Sequence, residues 1–174
     1  MDVLEAIKSR REITNFKDEP ISLDVLEVVL DAAYLSPAGN NLPSREFILV
    51  TDPDVLKELA NATPFVPWLA TSKAAIIVTG RPDVSKYWLQ DASIASGYIW
   101  LAAVEQGLGA AFGAIYHSED QVESEKRETH VIKQLSLPDD RRIVSILGLG
   151  YPAILPDAKK LLPRESIVFY GTIK

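Results

Sequence analysis

No cysteine occurs among the 174 residues. Disulfides, thiolate metal sites, cysteine nucleophiles and cysteine-ligated clusters are thereby excluded, and any redox chemistry has to come from a bound cofactor. Histidine is scarce as well: His117 and His130 are the only two, and they form no His-x-x-x-His spacing, so no metal site is expected. Positive charge is in deficit. Lys and Arg number 18 against 24 Asp and Glu, a net charge of −6, which leaves no basic stripe for a nucleic acid. No run approaches the roughly 18 apolar residues of a membrane span. The opening Met1-Asp2-Val3-Leu4-Glu5 lacks the charged and apolar regions of a secretory signal, so a cytoplasmic location is the expectation. Complete glycine fingerprints are missing too. Gly107-Leu108-Gly109 follows a helical pattern, and neither it nor Gly148-Leu149-Gly150 completes Gly-x-Gly-x-x-Gly at a strand-to-helix turn. No P-loop is present, and no nucleophile elbow. The glycines of 107–113 instead suit close approach by a ligand or another backbone.

What is present is an ordinary globular balance, 47% hydrophobic and 24% charged, with a length that fits one domain over 1–174. Val3, Leu4 and Ile7 share a helical face over 2–9. Ser22 is a good N-cap for a second helix carrying Leu23, Leu26, Val29, Leu30 and Ala33, ending near Ser36-Pro37. A Pro-, Gly- and Asn-rich loop fills 37–45. Phe47–Val50 reads as a buried strand, and Asp52-Pro53 opens a helix to about Ala60. Strands are expected at Ala74–Thr79, Ala110–Ile115 and Ile143–Leu149. The longest helix spans about Tyr87–Gln106, is apolar on most faces, and ends at Gly107 as a C′ glycine. Such a helix is central in a domain or in a subunit interface. Ser118-Glu119-Asp120-Gln121 reads as a capping box for a charged helix to about Gln134, whose carboxylates look solvated. A Pro-containing tail, Tyr151–Pro163, leads to a last segment at Ile167–Tyr170. This order is not regular βαβ winding; it fits an α+β sandwich.

Two features carry chemistry. Arg10-Arg11 places two permanent cations at a helix-to-loop junction, in Ser9-Arg10-Arg11-Glu12-Ile13-Thr14-Asn15-Phe16. A solvated surface pair is the plain alternative, but planar guanidinium groups are well suited to grip a phosphate. Phe65, Trp68, Tyr87 and Trp88 surround the second strand, with Pro64 and Pro67 stiffening the loop. They serve either core packing or a wall over a flat ligand.

Four segments in order resemble the nitroreductase family of FMN-dependent oxidoreductases over almost the whole chain. Arg10–Phe16 resembles the Arg-Arg-Ser-x-Arg-x-Phe motif. Pro37-Ala38-Gly39-Asn40-Asn41-Leu42-Pro43 resembles Pro-Ser-x-x-Asn-x-Gln. Gln90-Asp91-Ala92-Ser93-Ile94-Ala95 and then Gly107–Gly113 resemble the long helix and the strand after it, and Leu149-Gly150-Tyr151-Pro152 closes the series. The resemblance implies a three-layer α+β sandwich with a mostly antiparallel sheet, and a homodimer with the long helix in its interface. It implies FMN in a groove between subunits, with Arg10 and Arg11 on the phosphate and Pro37, Ala38 and Asn41 supplied by the partner's loop. The backbone at Phe112, Gly113 and Ala114 would face the flavin ring, and Lys160 would add a phosphate contact. NAD(P)H would reduce small oxidants such as nitroaromatics or quinones in a ping-pong cycle through flavin N5, without an obligatory acid or base side chain. The same scaffold could instead run flavin fragmentation or dehalogenation, or bind flavin without turnover. Glu12 and Thr14 stand where the motif has Ser and Arg. Glu12 either opposes the phosphate or pairs with Arg11.

Overall fold

The computed structural model describes residues 1–173. Helices α1 (Val3–Ser9), α2 (Leu23–Tyr34), α3 (Pro53–Leu59), α4 (Trp88–Glu105) and α5 (Gln121–Leu135) surround strands β1 (Arg45–Val50), β2 (Ala74–Gly80), β3 (Gly109–Ala114) and β4 (Arg142–Gly150). The strands form one antiparallel sheet in the order β1-β2-β4-β3. The fold is α+β.

The sheet has a hydrophobic core on each face, because side chains alternate along a strand. Ala74, Ile76 and Val78 of β2 face Leu26, Val29 and Ala33 of α2 and Ala92, Ile99 and Ala103 of α4. Ala75 and Ile77 face Leu56 and Leu59 of α3 and Val131 of α5. That is the expected three-layer arrangement. A register shift between Val78 and Thr79 leaves Val144 as the extra residue of β4, a bulge that re-aims side chains. Ser145 then meets Ser96 of α4, Oγ to Oγ at 2.9 Å.

The ends of α4 follow its sequence closely. Gly107 has φ +76°, its N–H donates to Val104 O, and Leu108 N–H donates to Ala103 O, a complete Schellman cap. Other boundaries differ from expectation. The N-cap of α5 is Asp120, whose side chain accepts from Glu123 N–H at 3.0 Å. The capping box at Ser118 does not form, because His117 Nδ1 takes the amides of Glu119 and Asp120 at 3.3 and 3.0 Å and turns the chain before the helix begins. Ser22 occupies the N-cap position of α2 without a side-chain hydrogen bond. β1 starts at Arg45 rather than Phe47.

The charged helix is not wholly solvated. Glu128 is buried and holds Arg142 through both oxygens at 2.7 and 2.8 Å, with Ser124 Oγ and Ile143 N–H as further donors. On α1, the expected inner face is exposed: Val3 is 69%, Leu4 64% and Ile7 50% accessible, and Ala6 alone is buried. No helix among the described residues is long and apolar enough to cross a membrane.

Candidate functional site

β3 is an edge strand, and its outer edge is partly covered by the Arg10–Phe16 segment. Ile13 N–H donates to Ala110 O at 3.1 Å, and Glu12 pairs in parallel with Ala110. Ile13 is buried against Gly109, where a Cβ would lie 2.6 Å from its side chain. Gly113 gives the same room to Val66, whose Cγ1 would be 2.5 Å from a Cβ there. These glycines therefore admit the chain's own side chains.

Two grooves meet at Glu12. One, of about 440 Å³, is lined by Arg10, Arg11, Glu12, Trp100, Pro156, Asp157 and Lys159. The other, of about 660 Å³, is lined by Glu12, Thr14, Pro64, Phe65, Pro67, Trp68, Thr71 and Phe112. The first end is cationic, the second aromatic. Among the described residues the Arg10 guanidinium has no hydrogen-bond or ion-pair partner; its Cζ lies 4.5 Å from the Trp100 ring centroid. Arg11 is pinned through one terminal nitrogen to Lys8 O and Arg10 O at 2.8 and 2.9 Å. Its Nε is buried with no partner, and an orphaned buried donor is costly unless something comes to accept from it.

Glu12 does not pair with Arg11. Its Oε1 accepts the Phe112 N–H at 2.8 Å, because the edge of β3 offers that amide nowhere else to go. Burial pushes the Glu12 carboxyl above its ordinary 4.5, while the Phe112 amide and the Arg10 charge pull it down. Thr14 is exposed and neutral, so the second cation of the motif is absent from this wall.

The other expected residues are placed less directly. Pro37 and Asn41 line a separate cavity of about 490 Å³ with Tyr34, Ser36, Arg45 and Phe47 among its walls, and half-buried Ala38 lies beside it. Lys159, not Lys160, lines the cationic groove. Gly113 is buried, while Ala114 is exposed and its carbonyl accepts from Arg127 at 3.4 Å. The four aromatics separate: Phe65 and Trp68 wall the groove, whereas Trp88 packs into the α4 core and Tyr87 covers Gly39.

One organising residue has no role in the sequence reading. Asp91 is buried in the first turn of α4 and accepts from Gly39 N–H at 2.9 Å and Ser44 Oγ at 2.5 Å. It ties both ends of the 39–44 loop to the long helix. An acid in the opening turn of an otherwise apolar helix is the signal that could have found it.

Residues 7–64 match the model of the Nitroreductase family. A protein of Methanothermobacter thermautotrophicus described as "Putative NADH dehydrogenase/NAD(P)H nitroreductase" is 35% identical over 170 residues, covering 96% of this chain and 86% of its own length. The chain belongs to the nitroreductase family. A solved nitroreductase-family structure, an FMN-dependent nitroreductase from Clostridium difficile R20291, superimposes with a TM-score of 0.88 at 25% identity, covering 98% of this chain and 99% of that one. An iodotyrosine deiodinase of Thermotoga neapolitana is 28% identical, covering 95% of each chain.

Proposed function

We propose that this nitroreductase-family chain is an NAD(P)H-dependent flavin oxidoreductase, with FMN as its cofactor and a small nitroaromatic or quinone as its oxidant. The observation that carries the reading is the pair of grooves joined at Glu12, with unpartnered Arg10 and Arg11 donors at one end and an aromatic wall at the other. An elongated ligand with an anionic end and a flat apolar body fits both ends at once.

Arg10 and the Arg11 Nε hold the phosphate, and Lys159 adds a third positive charge from the tail, with Lys160 next to it. Guanidinium–phosphate hydrogen bonds are charge-assisted and short. The β3 backbone at Phe112, Gly113 and Ala114 faces the ring, with Thr14 beside it. Phe65 and Trp68 shield the aromatic end from water, which strengthens the electrostatics inside. Bound FMN supplies the two-electron exchange between nicotinamide and oxidant. The side chains orient and exclude water, and none is called on as an obligatory acid or base.

The protein works as a homodimer of single-domain protomers in the cytoplasm. Ile94 and Tyr98 on α4 are each 44% exposed in the protomer, and α1 shows Val3, Leu4 and Ile7 to solvent. The tail adds Leu155, Leu161 and Leu162, all exposed. Apolar surface on this scale marks an interface. In the dimer, the Pro37–Asn41 loop of one protomer reaches the groove of the other.

The deiodinase relative supports a second reading, dehalogenation on the same flavin. Anaerobic addition of NADH or NADPH to FMN-loaded protein separates them. Rapid bleaching of the flavin, with colour restored by a quinone, supports the oxidoreductase. A flavin that nicotinamides leave oxidised, with turnover of a halogenated phenol under dithionite, favours the second reading.

A further inference from the structure

We infer that Trp100 is a positioning residue that pre-orients Arg10 for the phosphate. This rests on the FMN reading above. An arginine near the surface loses rotamer freedom when it grips a ligand, and that loss weakens binding. Trp100 removes part of it beforehand. Its indole face lies 4.5 Å from Arg10 Cζ. A guanidinium held over a ring face spends none of its N–H donors on a hydrogen-bond acceptor, so they remain available to a phosphate. The attraction itself is of the cation–π kind.

Two further contacts fix the indole. Its Nε1–H donates to the Arg11 carbonyl at 3.3 Å, which fixes the Arg11–Glu12 peptide directly after the two arginines. Phe112 lies parallel to it, 1° between planes and 6.1 Å between centroids, an offset stack. The same Phe112 gives its amide to Glu12. Trp100 therefore links the rigid helix α4 to both arginines and, through Phe112, to the carboxylate between the grooves. A leucine would fill the half-buried space; none of these three contacts would survive.

The test is a double-mutant cycle read as FMN affinity, by fluorescence titration of the full chain. Trp100→Leu should raise the FMN Kd about tenfold. In an Arg10→Ala background the same substitution should change Kd less than about twofold, because Trp100 acts through Arg10. A purely structural role would weaken binding equally in both backgrounds, and that additivity would overturn the inference, as would an unchanged Kd in the single variant. Thermal melts report whether Trp100→Leu folds. If it does not, Trp100→Phe keeps a ring face for Arg10 and loses the Nε1–H; a rise in Kd of about threefold that is smaller in the Arg10→Ala background is expected, and an equal rise in both backgrounds would count against the inference. Absence of FMN binding by the unmutated protein overturns the flavin reading and this inference with it. Additive losses in a chain that does bind FMN overturn this inference alone.

Discussion

The Glu12 carboxylate accepts the Phe112 amide at 2.8 Å across the free edge of β3. A serine at this position could not span the same distance with a charge. The bond anchors the Arg10–Thr14 segment to the sheet while leaving Arg11 unneutralised, and it places one negative charge where the two grooves meet. That charge opposes a phosphate in the cationic groove.

Glu12→Gln keeps an acceptor for the Phe112 amide and removes the charge. The folded-state pKa of Glu12 is raised above 4.5 by burial, so the folded chain binds more protons than the unfolded chain in the window above 4.5. The stability linked to Glu12 is thus fully present below 4.5 and is lost as pH rises through the folded value. Glutamine does not titrate. Denaturant unfolding from pH 4 to 8 should therefore show Glu12→Gln gaining on the unmutated protein as pH rises, with no relative gain below 4.5. The same variant should bind FMN more tightly at neutral pH. A relative stability that falls with rising pH would refute the assignment.

Asp91→Ala should be among the most damaging single changes. It strands the Gly39 amide and the Ser44 hydroxyl in a buried site, at roughly 1–3 kcal/mol for each unsatisfied group. A loss of unfolding free energy of that size is expected in urea titration, together with faster proteolysis of the 37–45 loop. If the loop is as protected as before, Asp91 does not hold it.

Much of the fold was legible because its signals are local. The apolar runs of β2 and β4, the helical spacing of α2 and the glycine after α4 each declare themselves within a few residues. The polar ties were not legible. Glu128 meets Arg142 and Asp91 meets Ser44 across the fold, and such pairing has no period to read. The start of β1 at Arg45 is hidden in the sequence for the same reason: Arg45 and Glu46 resemble loop residues until Ser36 and Arg141 are found beside them. At the site, the motif pointed to Arg10, Arg11 and Glu12, but not to Trp100, whose place beneath Arg10 depends on how α4 crosses β3. The exposed face of α1 could not be told from a buried one, since helical periodicity marks an apolar face and not what covers it.

The dimer should depend on the exposed face of α4. Ile94→Asp combined with Tyr98→Asp touches side chains that are half open in the protomer, so the fold should persist. Sedimentation at micromolar concentration should show the unmutated chain at twice 19.2 kDa and the double variant at 19.2 kDa. An unmutated chain that sediments as a monomer contradicts the interface.

The most direct test is calorimetric titration of FMN into the flavin-free protein and into its Arg10→Ala variant. One FMN per protomer is expected for both, with Kd at least about tenfold weaker in the variant, the loss of one charge-assisted contact of roughly 1.5–3 kcal/mol. Equal dissociation constants, in a variant that melts like the unmutated protein, would contradict the placement of the phosphate between Arg10 and Arg11.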